Sequence, residues 1–324
     1  MKILNKHPDK DFIILNLTDP QLSDQEWEVG HTNRKILEHT VNELIEQINP
    51  DLITISGDLA WAGHDHAYDM LAKLIDGYNI PWAPVWGNHD NQNGPEYIDT
   101  IATKYMHFPN CIYEKGDPTL GNGNYVIGIE ENGKSITALF MVDSHDREDL
   151  KKDDGTVEKV YSKLTKEQAA WLTDEAENLR ASGYNDAAII LHIPIYAYRK
   201  ASDAAYKISD LKSITLEQSM GNEPWNEGYE ESVGVQHEAI CSHPIEDGML
   251  DVVKDIGIVK HIIAGHEHNN NFIILYDGVK MVYSLKTGAG CYWEPNLNGG
   301  TVLKINGSGI YDVHHEYVDT SDIQ

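Results

Sequence analysis

Short apolar runs alternate along this chain with polar, glycine-bearing loops, and several runs end on a residue able to bind a cation or move a proton. Phe12 to Thr18 (FIILNLT) is such a run, closed by Asp19-Pro20, and predicts a buried strand that delivers an acidic loop. From Asn33 to Ile48 the apolar positions Ile36, Leu37, Val41, Leu44, Ile45 and Ile48 recur at helical spacing, and Asn49-Pro50 stops the helix. Leu52 to Ser56 (LITIS) predicts a second strand running into Gly57-Asp58. His66 to Tyr78 then predicts a helix, and Trp82 to Trp86 a strand running into Gly87-Asn88-His89-Asp90. This repeat of strand, loop and helix implies an α/β domain with neighbouring, largely parallel strands.

The pattern changes between Tyr113 and Val142, where Gly-Asn-Gly at 121–123 and Glu-Asn-Gly-Lys at 131–134 punctuate β-rich segments and predict antiparallel hairpins. Ser162 to Arg180 predicts a helix opened by a capping box, Thr165 with Gln168 three residues on. Ala187 to Leu191 is a strand ending in His192. Residues 195–244 carry little periodicity, many aromatics and several glycines, so they form an insertion or a lid within a single domain spanning 1–324. Val259 to Ile263 returns as a strand ending in Gly265-His266-Glu267-His268, followed by Phe272 to Tyr276, Lys280 to Ser284 and Thr301 to Ile305. The C-terminal third thus reads as a second, mostly antiparallel set of strands.

Composition narrows the function. With 324 residues and 41% apolar usage the chain can bury a full core. It carries 52 acidic against 25 basic residues, a formal charge of -27. Such a surface repels nucleic acids and anionic membranes, and also polyanionic substrates unless a local cation, such as a bound metal, overrides the field. Cys111, Cys241 and Cys291 are odd in number and widely spaced, with no CxxC, which speaks against a disulfide scaffold or a zinc-thiolate site. The N-terminal MKILNKHPDKDF offers no signal-peptide core and no stretch approaches membrane-spanning length, so a cytoplasmic location is expected.

Five groups follow five predicted strands: Asp19 with Gln21, Asp58, Asn88 with His89, His192, and His266 with His268. Ligands of open α/β sheets gather at the carboxyl ends of strands, so these loops can meet in one crevice. Carboxylate, amide carbonyl and imidazole form a mixed oxygen and nitrogen set suited to manganese, iron(II), zinc or magnesium. Seven groups without His89 exceed what one ion takes from protein and fit two ions about 3.5–4 Å apart that share a carboxylate.

Taken together, Asp19-Pro20-Gln21, Gly57-Asp58, Gly87-Asn88-His89-Asp90, His192 and Gly265-His266-Glu267-His268 resemble the five motifs of the calcineurin-like metallophosphoesterases. VWGNHDNQ and LHIPIYAY resemble the bacterial and fungal branch described as purple-acid-phosphatase-like. The resemblance implies a four-layer α/β/β/α sandwich with two facing mixed β-sheets. It implies Asp19, Gln21, Asp58 and His268 around one divalent ion and Asp58, Asn88, His192 and His266 around the other. Asp58 bridges in this scheme, His89 contacts the phosphoryl group or leaving oxygen, and Asp90 orients His89. The implied reaction is hydrolysis of a phosphate ester, first a phosphomonoester, by metal-bridging hydroxide, on a small molecule or a phosphoprotein. A phosphodiesterase or nucleotide pyrophosphohydrolase uses the same chemistry, and an inactive metal-binding scaffold is the alternative of a different class. The missing glycine-rich phosphate loop with lysine speaks against a Walker-type NTPase.

Two departures from the family pattern bear on the metals. Gln21 stands where the first motif carries histidine, which tilts that ion toward manganese, magnesium or iron(II). Trp61 stands where true purple acid phosphatases place a tyrosinate, and indole has no lone pair to replace it. Tyr198, Tyr206, Trp225 and Tyr229 can either wall a substrate pocket or fill the core of a small subdomain. His31 and Arg34 lie close enough in sequence to the first motif to touch phosphate or simply to open a helix, and His64 and His66 read as an exposed loop.

Overall fold

The computed structural model describes residues 1–323. In chain order the strands and helices begin with β1 (Lys2–Asn5), β2 (Phe12–Leu17), α1 (Thr32–Ile48), β3 (Leu52–Ser56), α2 (Asp65–Asp76), β4 (Trp82–Val85), α3 (Asn88–Asn91) and α4 (Pro95–Tyr105). There follow β5 (Tyr125–Glu131), β6 (Lys134–Met141), β7 (Arg147–Lys151), β8 (Val157–Tyr161), α5 (Lys166–Ala181), β9 (Ala187–Ile190), α6 (Ala197–Ala205) and α7 (Leu216–Ser219). The chain closes with α8 (Met249–Ile256), β10 (Val259–Ala264), β11 (Ile273–Tyr276), β12 (Val279–Tyr283), β13 (Gly299–Asn306) and β14 (Gly309–Tyr317).

Two mixed sheets carry the fold, one ordered β1-β5-β6-β9-β10-β12-β11 and the other β14-β13-β2-β3-β4. The inward faces of β5, β6 and β9, with Ile127, Ile129, Leu139, Met141, Ala188 and Ile190, join Leu15, Ile53, Ile55 and Leu303 of the second sheet in one core. The alternate residues Val126, Phe140 and Ile189 face the other way and pack with α5, α6 and α8 in a second core. Strands apolar on both faces are what a sheet buried on both sides requires. Helices α1, α2 and α4 contribute Leu37, Val41, Leu44, Leu71 and Ile101 to the first core. The result is the expected four-layer sandwich of two facing mixed sheets flanked by helices.

The predicted β2, β3 and β4 pair in parallel, and β5 and β6 form the expected antiparallel hairpin. The capping box at Thr165 and Gln168 opens α5. The C-terminal strands differ from expectation, because they are not a separate antiparallel set. Strand β10 pairs in parallel with β9 and β12, whereas β13 crosses to the other sheet and pairs antiparallel with β2. Residues 147–161 form a separate two-stranded ribbon, β7 with β8. Among the described residues no helix is long and apolar enough to cross a membrane.

A buried polar cluster joins the two sheets beneath the strand ends. Asn16 donates to Ser56 Oγ at 3.0 Å and to Ser284 Oγ at 2.8 Å, and its own oxygen accepts from Thr54 at 2.8 Å. Asn16→Ala strips three buried hydroxyls of a partner and should cost about 1–3 kcal/mol, read from urea unfolding of the metal-free protein.

Candidate metal centre

The ends of β2, β3 and β4 in one sheet and of β9 and β10 in the other open onto the same place. Asp19, Gln21, Asp58, Asn88, His192, His266 and His268 are all buried there. Ligand atoms of Asp58, His192 and His266 lie within 4.8 Å of one another. His192 Nε2 is 3.3 Å from Asp58 Oδ2, 3.1 Å from Asn88 Oδ1 and 3.2 Å from His266 Nδ1. Its Nδ1 sits 2.9 Å from the Ser56 carbonyl, so Nδ1–H donates there and Nε2 is turned to the cluster.

The remaining residues form an adjoining group. His268 Nε2 is 3.3 Å from Asp19 Oδ1, and its Nδ1 lies 2.7 Å from the Tyr292 carbonyl, again pointing one nitrogen inward. Gln21 Nε2 lies 3.5 Å from Asp58 Oδ2, placing Asp58 between the two groups. Asp19 Oδ1 and Gln21 Oε1 are buried and accept no hydrogen bond. Orphaned acceptors of this kind are costly inside a protein, and a cation is the partner that suits a carboxylate and an amide oxygen together. The residues therefore fit a divalent ion on this side as well as beside Asp58, His192 and His266.

Local backbone strain accompanies the arrangement. Asp19, Gln21, Asp58 and His266 all adopt positive φ, at 53°, 42°, 49° and 87°. Such conformations cost energy in residues other than glycine and persist where the surroundings enforce them. Glycine is needed where ligands crowd the backbone: a Cβ on Gly57 would lie 2.5 Å from the His192 ring, and one on Gly87 would lie 2.1 Å from Asp58 Oδ1.

Charge is distributed unevenly. Burial disfavours ionisation of Asp19 and Asp58, yet His192 draws both below the usual carboxylate range, aided at Asp19 by His268 and Lys286. Burial likewise opposes charge on His192, but Asp58 and Asp19 outweigh it and raise its pKa to about 10. Burial and then the charge of His192 push His266 down to about 3.

His89 is half-buried at the mouth of this cluster, with Nδ1 2.8 Å from Gln92 Nε2 and its ring 4.4 Å from that of Trp61. Asp90 does not hold the ring, contrary to the expected role. Its oxygens accept from the Gly87 and Leu59 amides, at 2.7 and 3.1 Å, and from the Tyr68 hydroxyl at 2.7 Å. Asp90 therefore ties the loop after β3 to the loop after β4, and so places Asp58 and Asn88 relative to each other.

A cleft of about 120 Å³ opens over the cluster, walled by Tyr161, Glu238, Cys241, Cys291 and Tyr292 besides His89 and the buried ligands. Sequence reasoning does not single out these walls. Tyr161, at the end of β8, has its ring 4.5 Å from that of His266, and Tyr292 stacks on His268 at 4.2 Å. Tyr198, Tyr206 and Trp225 are buried in the second core together with β5, β6, β9 and α5 and wall no pocket at the cluster, and Tyr229 faces a separate groove of about 590 Å³ between β11 and β14. His31 caps α1 through Nδ1, and Arg34 binds Glu38 and the Trp27 carbonyl, the ordinary helix opening. His64 accepts from the Asp24 amide and His66 is exposed.

The model of the calcineurin-like phosphoesterase family matches residues 12–270. The chain belongs to that family. It is 27% identical over 280 residues to the probable inactive purple acid phosphatase 28 of Arabidopsis thaliana, covering 79% of this chain and 63% of that one. It is 26% identical over 292 residues to phosphatase DCR2 of Saccharomyces cerevisiae, covering 85% of this chain and 45% of the yeast protein. The chain thus spans less than two thirds of the length of either relative. A dimetal phosphatase from Danio rerio has the same fold, with a TM-score of 0.59 at 14% identity, covering 94% of this chain and 98% of that one.

A cation must displace the proton that His192 holds in the metal-free protein below about pH 10. Loading with Mn²⁺ at pH 7 should therefore release protons, and apparent affinity should rise with pH by up to tenfold per unit. Titration calorimetry in two buffers of different ionisation enthalpy measures that release; equal heats in both would contradict it.

Proposed function

We propose that this chain hydrolyses a phosphate ester at a pair of divalent cations, with a phosphomonoester as the first substrate class. The observation that carries the reading is the position of Asp58, between a group with two imidazoles, His192 and His266, and a group with two orphaned acceptors, Asp19 Oδ1 and Gln21 Oε1. In this reading Asp19, Gln21, Asp58 and His268 hold one ion, and Asp58, Asn88, His192 and His266 hold the other. The donor set suits manganese or iron(II), and also zinc or magnesium. Bound ions of this kind acidify a water and polarise phosphoryl oxygens.

The protein's own side chains do the rest. With the Gln92 amide donating to Nδ1, a neutral His89 carries its proton on Nε2. That N–H is then the donor offered to a phosphoryl oxygen or to the departing alkoxide. Asp90 keeps His89 in place through the backbone, by fixing the loop that bears it. Tyr161 and Tyr292 narrow the entrance and shield the buried ligands from bulk water.

A second reading, a phosphodiesterase, draws support from the cleft wall. The lining residues include Glu238 and two tyrosines and no lysine or arginine, which favours a singly charged ester over a dianionic one. The inactive scaffold, which the name of the plant relative brings to mind, leaves unexplained the non-coordinating His89 held at the mouth.

Turnover of p-nitrophenyl phosphate and of its bis-ester with Mn²⁺, before and after chelation, separates these readings. Chelator-sensitive monoester turnover is expected; preference for the bis-ester supports the diesterase, and no turnover with metal bound supports the scaffold. Asp58→Ala should abolish activity and metal uptake together. His89→Ala should lower kcat by roughly 10²–10⁴ while metal content, read by elemental analysis, stays unchanged.

A further inference from the structure

Lys286 is a buried cation that the reaction does not use. It lies just past the end of β12, only 1% exposed, with Nζ 2.6 Å from the main-chain carbonyl of Asp19. No carboxylate among the described residues comes within ion-pair distance of it. An ammonium in such a place is expensive unless nearby negative charge supports it. Burial pulls the Lys286 pKa down to about 8, and the charges of Asp19 and, less strongly, Asp58 keep it from falling further.

The loop that begins at Lys286 also builds one half of the metal centre. Thr287 donates its amide to the Thr18 carbonyl at 3.0 Å and receives the Thr18 amide on its hydroxyl at 3.2 Å. Further along, the Tyr292 carbonyl orients His268 and the Tyr292 ring stacks on it. Lys286 is therefore fastened to the Asp19, Gln21 and His268 side, and not to the side of Asn88, His192 and His266.

By charge alone, the Asp19 side should be the tighter half, since it adds a second carboxylate to the shared Asp58. A buried ammonium on the Asp19 carbonyl works against that advantage, and Gln21 offers a weaker amide oxygen where imidazole would otherwise stand. On the two-ion reading proposed above, we propose that Lys286 acts as an internal counter-ion that stands in for the cation at the Asp19–Gln21–His268 half. It steadies the carboxylates when metal is absent and makes that half the weaker, exchangeable one. The half with two imidazoles fills first. Occupancy of the second ion, and with it activity, then follows the concentration of free divalent metal.

The test is titration of metal-free protein with Mn²⁺ alone, read by calorimetry. The parent should show one tight and one weak step, and His268→Ala should remove the weak step only. Lys286→Met should leave the tight step unchanged and tighten the weak one by roughly tenfold or more. Should that variant not fold, Lys286→Gln, which keeps an N–H for the Asp19 carbonyl, must show the same shift. Two steps with the weak one unchanged or weakened in the lysine variant would overturn the role of Lys286 and leave the two-ion reading intact. A single ion per chain in parent and variant alike would overturn both.

Discussion

Too many electron pairs meet in one buried place, and the structure is organised around that fact. Two carboxylates, two amide oxygens and three imidazoles converge there with few N–H donors to satisfy them. Without metal, the protein answers with a proton on His192 and the ammonium of Lys286, both of them buried. Neither answer is complete, since Asp19 Oδ1 and Gln21 Oε1 accept no hydrogen bond. The imbalance suits a candidate cation site and is tolerated in the metal-free protein.

Two sheets share the task of bringing these groups together, so the spacing of the centre depends on how the sheets pack. Asp19, Asp58 and Asn88 follow neighbouring strands of one sheet, whereas His192 and His266 follow neighbouring strands of the other. The Asn16 cluster fixes the gap between the sheets directly below, because hydrogen bonds tolerate less sliding than apolar contacts do. Asp90 plays the same part laterally, spanning the loops after β3 and β4. The glycines beside the ligands have a corresponding reason. Gly57 leaves room for the His192 ring and Gly87 for the Asp58 carboxylate, so each conserves space for a ligand delivered by another strand.

Much of this was legible in the chain because each candidate ligand follows an apolar run, and apolar runs are the strongest local signal available. Strands β2, β3, β4, β9 and β10 and helix α1 lie within a residue or two of their predicted bounds, and α5 opens at its predicted capping box. What escaped has no such pattern. The β7 and β8 ribbon, REDLK and VEKVY, is polar and largely exposed, so nothing in it announces that Tyr161 will reach His266. Tyr292 lies in a loop without periodicity. The partition of the C-terminal strands was equally hidden, because Thr301 pairs with Asn16 across the length of the chain and local spacing carries no register over such a distance. Lys286 does obey the strand-end rule, following β12 closely; as an ammonium it is no ligand, and a search for ligands passes over it.

Trp61 shows how the departures from the family pattern fit together. At the position where the resemblance puts a tyrosinate for iron(III), the indole instead packs edge-on against His89, ring centroids 4.4 Å apart, while Gln92 hydrogen-bonds the same imidazole. One substitution thus removes a hard anionic donor and adds a wall that restricts the imidazole at the mouth. Gln21 removes an imidazole on the same side of the centre to which Lys286 adds a positive charge. Both departures weaken the donor set for a highly charged ion, and the buried ammonium of Lys286 acts in the same direction. On the proposed two-ion reading, a centre altered in this direction suits divalent ions, with the firmer hold on the two-imidazole side.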